Sequence, residues 1–258
     1  APSISAVGTL VNVDSVAGTY TATTMAAKTS IGSKIDAGIW YTSQGNGVLI
    51  DYGTLPGGLQ VNADVSLPTL AGMVRYKLSD SMSVIGGLKR VSMDSGSTVS
   101  ANVTSEGIAQ ANWTFGAASG TSAVYGIISE VPEIAMRMTV LMESAGAIDV
   151  PTTYVQDGVN HTGTTKAPVG DATTISLQTG IAPNTLLFGS LKISNWQDDQ
   201  TMLPINGSAT QRHQISDYSD GQSYTIGLGR RFNDQLSGRV SYFRDPASDC
   251  DESSALAP

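Results

Sequence analysis

Few side chains in this sequence are of a type and spacing that does covalent chemistry. The two histidines, His161 and His213, fall in segments read as long polar loops, with no Gly-x-Ser-x-Gly phrase and no metal-spaced partner nearby. A lone loop histidine is solvated in most proteins, so no catalytic role attaches to either one. Asp245, Asp249, Asp251 and Glu252 form an acidic run around Cys250. Clustered carboxylates suit hard cations, but this run lacks the spacing of a calcium loop, so it reads as a solvated loop. Cys250 is the sole cysteine, which excludes an internal disulfide. Asn102, Asn112, Asn160 and Asn206 open N-x-Ser/Thr sequons, which mean little if the source is bacterial. The expectation is a protein that is not an enzyme and needs neither metal nor cofactor.

The remaining charged groups are organised differently. Asp36, Asp64, Arg75, Lys77, Lys89, Arg137, Glu143, Lys192, Arg231 and Arg239 each stand in an alternating stretch, on the face opposite the apolar residues. Ile175, Leu177, Thr179 and Ile181 share one parity. Pro183-Asn184 then reverses the chain, and Leu187, Gly189, Leu191 and Ile193 share the parity of the return run. This is a β-hairpin by its period of two. Similar turns sit at Gly32, Asp80, Pro132, Pro183 and Asp234, spaced by 48, 52, 51 and 51 residues. Each is flanked by strands of roughly ten residues, the length that crosses a bilayer when tilted.

Short turns at one end and long polar connections at the other are the asymmetry of an outer-membrane barrel. A repeat of this length also leaves a propeller open. If the apolar faces meet lipid, the charges line a polar lumen. The reverse orientation, with the apolar faces buried between two sheets of a sandwich, shows the same alternation. Trp40, Tyr41, Tyr52, Tyr76, Trp113, Phe115, Tyr125, Trp196, Phe232, Tyr242 and Phe243 lie mostly near expected strand ends, suiting either interfacial girdles or core caps.

Composition agrees with a barrel. Charged residues are 14% of the chain, the mean hydropathy is −0.01, and no apolar run is long enough for a transmembrane helix. The net charge of −8 argues against nucleic acid as a partner. The chain begins at Ala1-Pro2, with no initiating Met and no signal peptide.

The phrases LAGMVRYKLSDSMSVIGGLK, VPEIAMRMTVLMES, SLQTGIAPNTLLFGSLKISNW and YTIGLGRRFNDQLSGRVSYFRDP together resemble the strand–turn–strand units of the long-chain fatty acid transporter family of Gram-negative outer membranes (the FadL/TodX type). The resemblance spreads over residues 20–246. It implies an all-β, antiparallel, up-and-down transmembrane barrel with short periplasmic turns and long extracellular loops. Residues 1–258 are then one partial domain, with about ten strands of an expected fourteen.

The family's N-terminal hatch, with its Asn-Pro-Ala motif, is not found before Tyr20, and the chain ends at Leu256-Ala257-Pro258 in a polar segment without the C-terminal aromatic strand of such barrels, so the expectation is a fragment. The implied function is passive uptake of long-chain fatty acids or other hydrophobic compounds. Outer-membrane lipid and lipopolysaccharide are the expected surroundings, and a monomer the expected state. A general porin or structural barrel, and a soluble secreted β-rich binding module, are the alternatives.

The resemblance also points to sites. The family's lateral passage, a kink in an early strand, would fall at Gly45-Asn46-Gly47, two glycines around an asparagine where an ordinary loop tip is the other reading. Arg75, Lys89, Arg137 and Lys192 are the lumen candidates. They either attract a fatty carboxylate through charge-assisted hydrogen bonds or pair with Asp36, Asp64 and Glu143 inside the barrel.

Overall fold

Alternating strands with short turns pair in chain order, because each tight turn leaves its two strands adjacent and antiparallel. The computed structural model describes residues 4–5, 12–13, 18–43, 47–55, 59–103, 108–216 and 219–246. Ten strands form one wholly antiparallel sheet: β3 (Thr24–Ile31), β4 (Ile35–Thr42), β7 (Thr69–Lys77), β8 (Met82–Met93), β11 (Ala118–Val131), β12 (Met136–Glu143), β15 (Asp171–Ala182), β16 (Thr185–Asn195), β19 (Gly221–Arg231) and β20 (Ser237–Arg244). Each is hydrogen-bonded to its neighbours in that order, and β3 and β20 are the two edges.

The turns obey their residues. Gly32 takes φ +66° between β3 and β4, and Asn184 takes φ +58° between β15 and β16; glycine and asparagine tolerate this left-handed region. At Pro132–Ile134 the turn is a single 3-10 turn.

The long connections, expected as polar loops, are themselves stranded. They form β5 (Val48–Leu55), β6 (Leu59–Val65), β9 (Thr98–Val103), β10 (Ile108–Phe115), β13 (Gly146–Gln156), β14 (Val159–Val169), β17 (Met202–Pro204) and β18 (Arg212–Gln214). These pair into a second, eight-stranded sheet in the order β18-β17-β14-β13-β10-β9-β6-β5. A two-residue pair, β1 (Ile4–Ser5) with β2 (Asn12–Val13), stands apart. Each repeat of about 51 residues thus does hold four strands, as a propeller blade would. Two go to each sheet, however, so the propeller is excluded. His161 and His213 lie in β14 and β18 rather than in loops.

The faces of the ten-stranded sheet follow the parity read from the sequence. Cross-strand partners Ile39 and Gly72, Val84 and Ile127, Val140 and Ile175, and Leu228 and Val240 share one face. That face is open: Ile39, Leu88, Ile226 and Val240 are 52, 61, 53 and 70% exposed. Apolar side chains at this exposure are not the inner face of a sandwich, which removes that alternative. The opposite face carries Asp36, Arg75, Glu130 and Arg137. The strands approach closely there: a Cβ on Gly126 would lie 2.2 Å from the Val140 carbonyl oxygen.

Candidate functional site: a charge-paired wall and an apolar cavity

The four cations predicted for the lumen all lie on the polar face of the ten-stranded sheet. Three are neutralised by carboxylates. Arg75 on β7 donates from Nη2 to the Glu130 carboxylate on β11, and its Nη1 lies 3.9 Å from Asp36 on β4. Asp36 is buried, lies 3.7 Å from Lys28 and accepts a 2.6 Å hydrogen bond from Ser30. The chain of charges continues to Arg137, whose Nε is 3.8 Å from Glu130. Lys89 on β8 pairs with Glu143 on β12. Burying such groups unpaired is costly, and pairing across neighbouring strands removes that cost.

The network runs through Glu130, which the sequence reading passed over, while Asp64 stands on β6 in the other sheet. Glu130 was recoverable: it shares a parity with Ile128 and Val124 on an alternating strand, and register alone sets it beside Arg137. Lys192 is the exception among the four. It is exposed and makes no ion pair among the described residues.

Beyond this network, the polar face opens on a hollow of about 940 Å³ near the short turns, between β12, β15, β16, β19 and β20. Arg137, Gln178, Phe188, Thr225 and Arg239 are among the groups lining it.

The eight-stranded sheet has the opposite polarity. Its buried face holds Ala63, Val99, Ala101, Ala111, Trp113, Phe115, Ile148, Val150, Tyr154, Ala167 and Val169. Val91 and Met93, from the polar face of β8, join the same core. The inner side therefore changes from polar to apolar along the strands. Trp113 and Phe115, expected in a girdle or a cap, are core residues here at 0 and 3% exposure.

The last long connection is clamped over this core. Trp113 Nε1 donates to the Pro204 carbonyl at 2.9 Å, and the Gly207 N–H donates to the Tyr154 hydroxyl at 2.9 Å. Gln156 exchanges two hydrogen bonds with Asn206, and His161 stacks on Tyr154 with centroids 5.1 Å apart. Here His161 packs on a strand against Tyr154 rather than standing as the solvated loop side chain expected from the sequence.

Between the core and the last connection lies a cavity of about 350 Å³. Val65, Met93, Phe115, Trp196 and Ile215 supply its apolar wall, and Gly47-Val48 forms one side. Thr165, Ser216 and Ser219 are among its polar groups. Two of these hydroxyls are engaged. Thr165 Oγ1 lies 2.7 Å from Thr152 Oγ1, and Ser216 Oγ donates to Gln200 Oε1 while accepting the Thr201 N–H. Ser219 Oγ is buried without a hydrogen-bond partner among the described residues.

No local pattern in the sequence assembles this cavity, because its walls come from seven separate segments spread from Gly47 to Ser219. The alternation of Ala111-Asn112-Trp113-Thr114-Phe115 and of Ile148 through Tyr154 was the available signal. Of the predicted passage, Gly45 and Asn46 lie outside the described residues, whereas Gly47 lines the cavity. β4 ends at Thr42 in one sheet and β5 begins at Val48 in the other, so the chain changes sheets across this segment.

No protein-family model and no curated protein matches this chain. Solved structures do. The crystal structure of the Pseudomonas putida toluene transporter TodX is similar at a TM-score of 0.66 and 10% identity, covering 93% of this chain and 70% of TodX. A Pseudomonas aeruginosa FadL homologue is similar at 0.69 and 12% identity, covering 86% of this chain and 59% of the homologue. The CymD monoaromatic hydrocarbon channel is similar at 0.59 and 12% identity, over 87 and 73% of the two chains. The protein has the FadL/TodX-type transporter fold, spanning part of the length of those chains.

Proposed function

We propose that this protein forms wall and entrance of a channel for passive uptake of hydrophobic compounds across a bacterial outer membrane. One observation carries the reading: the ten-stranded sheet exposes an apolar outer face and keeps a charge-paired polar inner face, in the fold of named hydrocarbon channels. Outward apolar and inward polar residues on tilted strands are what a lipid-embedded barrel requires.

Arg75, Lys89 and Arg137 then serve the wall, since their charges are already met by Asp36, Glu130 and Glu143. Of the four predicted lumen cations, Lys192 is the one without an ion pair among the described residues and so the one left to meet an anionic group. The segment Gly45-Asn46-Gly47 is our candidate for the passage between cavity and membrane, supported by Gly47 in the cavity wall.

The reading is tested in a Gram-negative host deleted for its own hydrophobic-compound channels. Expression of this protein should raise uptake of labelled toluene or oleate without raising uptake of a small sugar. Equal entry of the sugar would favour a general porin, and no change in any uptake would contradict transport. Deleting Gly45 to Gly47 should abolish hydrophobic uptake while leaving heat-resistant folding in detergent unchanged.

A further inference from the structure

The turn between β19 and β20 gathers positive charge on the inner side of the wall. Gly229 stands opposite Arg239 and Arg231 opposite Ser237, so these four positions share the inner face. Arg231 and Arg239 are diagonal neighbours across the two strands, about 7 to 8 Å apart at their Cα atoms. Like charges at that spacing repel unless an anion lies between them. The chain on both sides of the turn, residues 219–246, is described throughout.

The turn itself meets only part of this charge. Arg231 Nε donates to the Asn233 carbonyl at 3.3 Å, and its Nη2 donates to the Asp234 carboxylate at 2.7 Å. The Asp234 side chain is 97% exposed, where an ion pair contributes little. Arg239 makes no hydrogen bond or ion pair among the described residues. The floor beside it is bare, since a Cβ on Gly229 would meet nothing nearer than Leu186 Cβ at 4.0 Å. These groups and Arg230 border the hollow of about 940 Å³, and no Asp or Glu is among the described residues lining it.

We infer that Arg231 and Arg239, over the bare backbone of Gly229, form a binding site for a phosphomonoester group. Three arginines against the single Asp234 leave two positive charges unmet, which matches a phosphomonoester dianion, and guanidinium forks take its oxygens in pairs. Small soluble esters and lipids such as phosphatidic acid carry this same group. The site is separate from the apolar cavity and does not depend on the uptake reading.

Equilibrium dialysis of radiolabelled methyl phosphate against the full chain in phosphatidylcholine nanodiscs, corrected for empty discs, tests it. The pH is mildly alkaline, where a phosphomonoester carries two charges. Methyl phosphate should bind saturably, and dimethyl phosphate, a monoanion, at least about tenfold more weakly. Arg239→Gln should weaken methyl phosphate about tenfold and Arg239→Lys, which keeps the charge and loses the fork, about threefold. Arg90→Gln, which removes a cation near the far end of β8, should leave the affinity unchanged. Loss of probe binding in discs carrying phosphatidic acid, beyond that in phosphatidylglycerol discs of matched surface charge, assigns the site to a lipid headgroup. Equal losses assign it to a soluble ester.

Dimethyl phosphate bound as tightly as methyl phosphate would overturn the match to a dianion. The absence of saturable methyl phosphate binding, or an undiminished affinity in Arg239→Gln with heat-resistant folding retained, would overturn the site. Should Arg239→Gln lose that folding, Arg239→Lys decides in its place, and an unchanged affinity there overturns the site.

Discussion

The two sheets of this molecule are built from the same chain grammar and solve opposite problems. Both are antiparallel, both alternate apolar and polar residues with a period of two, and both alternate with each other four times along the sequence. In the ten-stranded sheet the apolar side chains point away from the rest of the protein, so Leu88 is 61% exposed. In the eight-stranded sheet they point inward, and Trp113, Val150 and Leu203 are 0% exposed.

Alternation therefore specifies which residues share a face and leaves the surrounding medium undefined. The medium is set by what covers the face. The segment from Met202 to Ser216, which adds β17 and β18 to the second sheet, also packs against its Trp113 and Tyr154, and nothing in the described chain covers the outer face of the first. The inner side consequently runs from the Asp36–Arg75–Glu130–Arg137 charges near the short turns, through the Lys89–Glu143 pair, to an apolar core.

The largest effect should come from breaking the apolar core. Trp113→Ala removes a fully buried ring and the hydrogen bond to Pro204, which should cost about 3 to 5 kcal/mol. Near-ultraviolet circular dichroism and limited proteolysis should show loss of the eight-stranded sheet alone, with the ten-stranded sheet still heat-resistant. Simultaneous loss of both would mean that the two regions are one cooperative unit.

The contrast between the two faces of the first sheet comes next. Ile226→Arg on the outer face should cost about 2 to 4 kcal/mol in lipid if the site lies near the bilayer midplane. Thr225→Arg, one residue earlier and on the inner face, should cost much less. Equal folding free energies would reverse or erase the proposed faces.

Arg75→Ala sharpens the polar end. It leaves Glu130 and the buried Asp36 without their shared partner and should cost about 1 to 3 kcal/mol, read from urea midpoints in lipid. The loss should shrink when Glu130→Gln is added, since the stranded charge is then removed. An undiminished loss in the double variant would assign the effect to packing.

The smallest effect is a pH dependence at the rim. Burial, helped by the nearby Asp171 and Asp198 charges, raises the Asp199 carboxyl above the usual carboxylate range. A raised folded pKa gives stability that is full in acid, below the unfolded value, and is lost as pH rises through the folded one. Asp199→Asn should thus stabilise the protein at neutral pH by no more than about 0.5 kcal/mol. The gap should close below the carboxylate range, as read from melting temperature against pH.

Much of the first sheet was legible because turn chemistry and parity are local. Pro183-Asn184 and Gly32 fix their reversals, and Val74-Arg75-Tyr76-Lys77 states its two faces outright. The second sheet was hidden by composition. Thr152, Thr153, Asn160, Thr162 and Thr164 make β13 and β14 read as polar connections, although threonine suits a strand well. Ion-pair partners were legible in kind and partly in identity: Asp36 and Glu143 were anticipated, but Glu130 required knowing that β11 lies between β8 and β12 in register. The cavity was illegible for a different reason, since proximity of Gly47, Phe115, Ala167, Trp196 and Ser219 exists only after the long connections have paired.

The account rests on the outer face of the ten-stranded sheet lying in lipid while the eight-stranded sheet stands outside it. Spin labels on single cysteines test this most directly, in protein with Cys250 replaced and reconstituted into vesicles. Labels at Leu88, Ile226 and Val240 should collide more with oxygen than with a water-soluble nickel chelate, and labels at Thr225 and Val155 should show the reverse. Preferential nickel collisions at Leu88, Ile226 and Val240 would contradict the lipid-facing wall and the channel built on it.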